Sequence, residues 1–152
     1  MFDEKTTALF QSLGGHLVMV LATCADTRVT ARSMSILVKD QSFYFQTDRT
    51  FLKYRQISGN NRVALCANQV QVEGICRELG HPMAEENSWF AKRFQAAFPR
   101  SYERYTPMAQ ETLFVVEPRL VRTWIYEDGE PFRETYDFTA GYYAKEKYEY
   151  SV

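Results

Sequence analysis

Residues Leu17–Thr47 read LVMVLATCADTRVTARSMSILVKDQSFYFQT, and the pattern of this stretch decides the fold class. A β-type run from His16 to Ala25 meets a turn at Asp26-Thr27-Arg28. A second run, Val29 to Lys39, meets Asp40-Gln41 and re-emerges as Phe43-Tyr44-Phe45. β-Branched and aromatic residues suit a pleated, half-buried surface, and short polar turns between such runs make tight hairpins. The segment predicts an antiparallel three-stranded meander.

Outward from the meander, the chain repeats this grammar with a few helical interruptions. Residues 3–13 predict a helix capped by Asp3 and ended by Gly14-Gly15. Thr50 to Ile57 predicts a short helix with Phe51, Leu52 and Ile57 turned inward, stopped at Ser58-Gly59-Asn60-Asn61. Residues 62–67 and 70–79 form a second hairpin around Asn68-Gln69. Its later arm alternates Val70, Val72, Gly74 and Cys76 with Gln71, Glu73, Ile75 and Arg77, so one face packs. Phe90, Phe94 and Phe98 recur every four positions, which predicts a helix over 84–98 ended by Pro99. Two strands, 112–116 and 120–126, are expected on either side of Glu117-Pro118, because proline belongs at an edge or bulge. Asp128-Gly129 turns the chain into a last strand at 132–138, followed by a tail, 141–152, rich in Tyr, Lys and Glu.

Six or seven short, mostly hairpin-linked strands with peripheral helices predict a mainly β protein. An antiparallel barrel, closed or nearly so, is favoured over a sandwich. With 152 residues, one domain is expected, its core at 16–138 and 84–98 a helical insertion.

Composition narrows the function classes. Lys+Arg (18) and Asp+Glu (19) nearly cancel, so no basic excess recommends nucleic acid. No basic amphipathic helix suggests a membrane surface, and the longest apolar run, Leu17 to Ala22, is too short for a span. The three cysteines, Cys24, Cys66 and Cys76, lack redox or zinc spacing and are read as small buried apolar residues in a reducing cytoplasm. His16 and His81 are isolated from other metal ligands and from any Ser/His/Asp set, so no metal site is expected. Gly-rich dinucleotide and P-loop signatures are absent.

One cluster carries chemistry. Arg32 shares the parity of Met34, Ile36 and Val38, so alternation turns it inward, where an unpaired guanidinium is costly. An internal partner, an outward-snorkelling side chain, or a bound phosphate would each answer that cost. Thr47 ends a strand, and Asp48-Arg49-Thr50 leads into a helix whose first turn carries Lys53, a ready place for an anion. Ser33 and Ser35 lie on the face opposite Arg32, where their hydroxyls bond backbone or the edge of a ligand.

The order of these pieces resembles the pyridoxamine 5′-phosphate oxidase-like, FMN-binding split-barrel family. The resemblance rests on Leu21-Ala22-Thr23, Ala31-Arg32-Ser33-Met34, Phe43-Tyr44-Phe45-Gln46-Thr47, Lys53, Asn61-Arg62-Val63-Ala64-Leu65 and Val72-Glu73-Gly74. It implies a six-stranded antiparallel split β-barrel that forms a homodimer with FMN at the subunit interface. It assigns the FMN phosphate to Arg32, Thr47 and Lys53, and the flavin ring to Ser33, Met34 and Ser35, with Gln46 beside them. Trp124 takes the role of an aromatic that covers the flavin from the partner chain. It implies a flavin-dependent oxidoreductase reduced by a nicotinamide or another small molecule; the alternative is a non-enzymatic flavin, haem or deazaflavin carrier or sensor. The chain departs from pyridoxamine phosphate oxidases proper at three places. Leu37 stands where a second basic residue is found, Gln46 where a tyrosine is found, and Glu149-Tyr150-Ser151-Val152 in place of an Arg-Leu-Pro ending. The resemblance is therefore to the general-stress and flavin-reductase-like members.

Overall fold

A computed structural model describes residues 1–149. Helix α1 (Phe2–Leu13) precedes strands β1 (His16–Ala25), β2 (Arg28–Lys39) and β3 (Ser42–Asp48). Helix α2 (Leu52–Gly59) leads to β4 (Arg62–Ala67) and β5 (Val70–Gly80). A 3-10 turn at Glu85–Asn87 then opens α3 (Ser88–Ala97), followed by α4 (Pro99–Tyr105). Strands β6 (Glu111–Glu127), β7 (Glu130–Asp137) and β8 (Tyr142–Lys147) complete the chain.

Every strand pairing is antiparallel, in the order β3-β2-β1-β4-β5-β6-β7-β8, and a further β3–β6 pairing closes the first six into a barrel. The expected six-stranded, mainly β barrel is present, with β7 and β8 added outside it. Four of its hairpins turn on Asp26-Thr27, Asp40-Gln41, Asn68-Gln69 and Asp128-Gly129, with positive φ at both central residues of each. That is the type I′ geometry whose twist matches paired strands. These are the four turns read from the sequence.

The core lies inside the barrel. Met19, Leu21, Ile36, Phe43, Phe45, Leu65, Val72 and Val116 are almost wholly buried there, and α1 closes one end with Leu9 and Phe10. A second apolar cluster forms outside the barrel wall, where Phe90 and Phe94 of α3 pack on Leu37 and Leu113. The four-residue phenylalanine spacing thus makes a helix that plates the outer face of β2, β3 and β6.

Five expectations are corrected. Glu117-Pro118 does not divide two strands: β6 runs unbroken for 17 residues, because the register shift opposite Glu73 and Gly74 of β5 leaves Arg119 as the extra residue of a bulge beside Pro118. Pro99 ends α3 but occupies the first turn of α4, where a missing N–H costs nothing. Phe51 is exposed at the start of α2 rather than packed, and the Tyr-rich tail supplies an eighth strand paired with β7. Of the cysteines only Cys76 is buried, which pushes its thiol up to about 12; Cys66 is exposed.

The bulge explains the glycine. A Cβ on Gly74 would lie 2.6 Å from Val116 Cγ1 and 2.9 Å from the Glu117 carbonyl oxygen. The backbone contact has no flexible end to yield. Gly74→Ala is expected to lower unfolding stability by about 1–3 kcal/mol, the scale of overpacking, as read by urea denaturation.

Candidate functional site

A cleft of about 400 Å³ opens where the barrel wall meets the α3–α4 unit. One wall is β2, through Ser33, Met34 and Ser35. The floor is the end of β3, through Gln46, Thr47 and Asp48, and the start of α2, through Phe51 and Lys53. Glu111 enters from the first residue of β6, and Phe94, Ser101, Tyr105 and Met108 form the roof. The volume falls within the range of small-molecule sites.

Six of the expected residues therefore meet in one place: Ser33, Met34, Ser35, Gln46, Thr47 and Lys53. The local reason is strand parity and curvature. Ser33, Ser35 and Leu37 share the outer face of β2, and α3 covers only the Leu37 end, leaving the two hydroxyls at an open margin. Lys53 Nζ donates to Thr47 Oγ1 at 3.3 Å and lies 4.8 Å from the Phe51 ring centroid. No side chain caps the first turn of α2, so its amides keep their anion-attracting character. Asp48 Oδ1 accepts from the Thr50 amide at 2.8 Å and its hydroxyl at 2.7 Å, a turn that aims the chain into α2. Gln46 Oε1 accepts from Thr106 Oγ1 at 2.9 Å, which ties the roof segment to β3.

Arg32 is half-buried on the opposite face, as its parity requires, and does not line the cleft. Its guanidinium donates to Thr23 Oγ1 at 2.9 Å, to the Leu21 carbonyl at 3.1 Å, and to Thr30 Oγ1. Both threonine hydroxyls donate at 2.6 Å to Gln56 Oε1 on α2, and Gln56 Nε2 donates to the Arg28 carbonyl at 3.0 Å. Neutral acceptors inside the barrel thus answer the cost of burying Arg32. This network escaped the sequence reading, although Thr30 and Arg32 share a strand face and Thr23 pairs with Thr30 in register.

Among the described residues neither Arg32 nor Lys53 forms an ion pair. Burial holds the Lys53 ammonium below its ordinary value and the nearby Arg32 charge lowers it further, with Glu111 and Asp48 acting the other way. Burial also lowers Arg32. A buried cation further depressed by a second one behind it, beside an open cleft, makes a place where a bound anion lowers the energy.

Trp124 lies elsewhere in the same chain. It sits on the distal half of β6, with its indole N–H donating to Tyr126 Oη at 2.9 Å and its ring 5.4 Å from that of Tyr148. Neither histidine lines the cleft. His81 Nδ1 accepts from the Met83 amide at 3.0 Å, so Nε2 donates to the Met108 carbonyl at 2.8 Å; His16 packs edge-on against Phe98. No group of metal ligands occurs among the described residues, and none of their helices is long and apolar enough to cross a membrane. Residues 150–152, part of the ending contrasted above, lie outside the described residues.

Comparison with known proteins agrees with the fold. The family described as pyridoxamine 5′-phosphate oxidase matches residues 3–125. None of the curated proteins compared matches the chain. Among solved structures, General Stress Protein 26 from Bacillus anthracis superposes with a TM-score of 0.59 at 21% identity, covering 78% of this chain and 89% of that one. A pyridoxamine 5′-phosphate oxidase-related, FMN binding protein from Nostoc punctiforme gives 0.62 at 16% identity, covering 97% and 95%. HutZ, the heme storage protein from Vibrio cholerae, gives 0.60 at 13% identity, covering 76% and 89%. At these identities the structural matches speak for the fold, and the match over residues 3–125 speaks for the family. The chain belongs to the pyridoxamine 5′-phosphate oxidase-like split-barrel family.

Proposed function

We propose that the protein binds FMN in this cleft and acts as a flavin-dependent oxidoreductase. The observation that carries the reading is the pair of cations without an ion pair among the described residues, Lys53 with Arg32 behind it, at the uncapped start of α2 and at one end of a strand wall bearing two free-standing hydroxyls. A phosphate suits the Lys53 and Thr47 end, where a charge-assisted bond is available. A flat ring suits the space between Ser33, Met34 and Ser35 and the roof, with Gln46 at its edge. When bound, the flavin supplies the redox chemistry; the protein binds and orients it and excludes water. Haem is the less favoured ligand because no histidine faces the cleft.

The same reading includes a homodimer. The outer face of β1, β2 and β4 exposes Val18, Val20, Val29 and Cys66, an apolar row continuous in register with Ser33 and Ser35. A second copy seated there would wall the open margin of the cleft. Trp124 then reaches a flavin only from the other subunit. A cytoplasmic location, with no nucleic-acid or membrane partner, accords with the near-neutral charge.

Protein saturated with FMN and desalted is expected to keep flavin absorbance; colourless protein overturns the reading. Nicotinamide oxidation faster than with free FMN supports an oxidoreductase, whereas binding without turnover of any reductant leaves a flavin carrier. Lys53→Gln is expected to weaken FMN by about 1–3 kcal/mol, the scale of a lost charge-assisted hydrogen bond, and riboflavin far less. Fluorescence titration of both ligands checks it; equal losses would move the phosphate away from Lys53.

A further inference from the structure

We propose that Glu111 is a specificity residue of the cleft that takes up a proton when a phosphate-bearing ligand settles against Lys53. The inference rests on the flavin-phosphate reading and adds to it a pH-dependent preference for the anionic ligand.

Glu111 is unusual for a cleft carboxyl. It is only 5% exposed, yet it lines the cleft, and among the described residues no hydrogen bond holds its carboxyl. Its backbone is fixed: the amide donates to the Met108 carbonyl at 3.1 Å, and the residue pairs with Asp48 across the β3–β6 seam. The ionisable groups that act on it are Asp48 from β3 and Lys53 from α2, and Tyr105 of the roof lines the same cleft. Glu78 on β5 is engaged instead by Thr112 Oγ1, which donates to it at 2.6 Å.

These neighbours pull in opposite directions. Asp48 stays ionised, because the hydroxyl and amide of Thr50 hold its carboxylate below the ordinary range. Burial first, and then the Asp48 charge, push Glu111 up to about 7, while Lys53 acts to lower it. Near neutrality the acid and its carboxylate are thus comparably populated. A phosphate bound at Lys53 offsets the ammonium charge that favours the carboxylate and adds negative charge beside it. Both effects stabilise the acid form. Binding therefore draws a proton from solvent, and by linkage the affinity falls as pH rises above the value for the free site.

The test is a titration of the full chain with FMN between pH 6.5 and 8.5, a range in which the ligand phosphate, ionising near 6, is largely dianionic. Wild-type affinity is expected to fall roughly five- to tenfold across it, on the basis of about one unit of coupling. Glu111→Gln and wild-type protein binding riboflavin are each expected to stay within about twofold. Calorimetry in buffers of different ionisation enthalpy needs no variant: wild type should take up about half a proton at pH 7.5 with FMN, and Glu111→Gln none. FMN binding with no proton uptake, or with the same pH profile in Glu111→Gln, overturns the role of Glu111 and leaves the flavin reading standing. An equal slope for riboflavin overturns it too, since Glu111 would then answer to the ring. Absence of FMN binding at every pH overturns both.

Discussion

Val20→Arg is expected to convert the proposed dimer into a folded monomer that loses flavin on desalting. Val20 stands on the outer face of β1, 42% exposed, between Ser33 on β2 and Cys66 on β4 in the ladder. In the isolated chain an arginine at this position extends into water, so the fold tolerates it. In a two-fold interface the position is buried once in each copy, and a buried guanidinium without a partner costs about 3–5 kcal/mol. Two such costs shift a micromolar or tighter dimer far toward monomer, since every 1.4 kcal/mol is about tenfold. Sedimentation gives the mass, absorbance the flavin, and circular dichroism the intact barrel. A variant that sediments as a dimer with its flavin retained would place the interface elsewhere.

Phe43→Ala is expected to lower unfolding stability by about 3–5 kcal/mol, the range for truncating a buried phenylalanine. The ring is 0% exposed and lies 5.5 Å from that of Phe10 in α1. Its backbone is paired with Val38 on β2 and Val116 on β6. Phe43 therefore occupies the seam that makes a barrel out of a sheet. Typical domains hold only about 5–15 kcal/mol in reserve, so this one truncation removes a large share. The site should suffer as well, because the same seam fixes Gln46, Thr47 and Asp48 opposite Leu113, Thr112 and Glu111. Urea unfolding with an unchanged m-value and a lowered midpoint checks the stability claim. A midpoint within experimental scatter of wild type would mean that the seam does not depend on this ring.

Much of the barrel was legible because its signals are local. The two-residue turns at Asp26-Thr27, Asp40-Gln41 and Asn68-Gln69 demand positive φ, and polar residues beside apolar runs announce them. The phenylalanine spacing of α3 was likewise a local periodicity. Where the reading failed, a partner far along the chain had decided. Pro118 breaks no strand, because β6 bulges at Arg119 where it pairs with Glu73 and Gly74 of β5, more than forty residues earlier, and a bulge accommodates a proline. Residues 142–147 carry charge and tyrosine rather than alternation, and they form a strand because β7 offers an edge. Phe51 reads as a packing residue and stands at the rim of the cleft because Asp48 and Thr50 set the entry angle of α2.

The site divides along the same line. Sequence alone determined that Ser33 and Ser35 face away from Arg32, and that Thr47 and Lys53 meet at a strand-to-helix junction. Both follow from the two-residue repeat of strands and the spacing of one short loop. Tertiary structure alone decided what those residues meet. The barrel turned Arg32 onto Thr23 and Thr30, linked by Gln56, so that its hydrogen bonds are spent inside while its charge still reaches Lys53. Closure of β3 on β6 brought Glu111 beside Asp48, and the α3–α4 unit roofed the cleft with Phe94, Ser101, Tyr105 and Met108. Register and alternation are properties of neighbouring residues and can be read along the chain. The field at a buried group is the sum over everything folded around it, and it exists only once the barrel has closed.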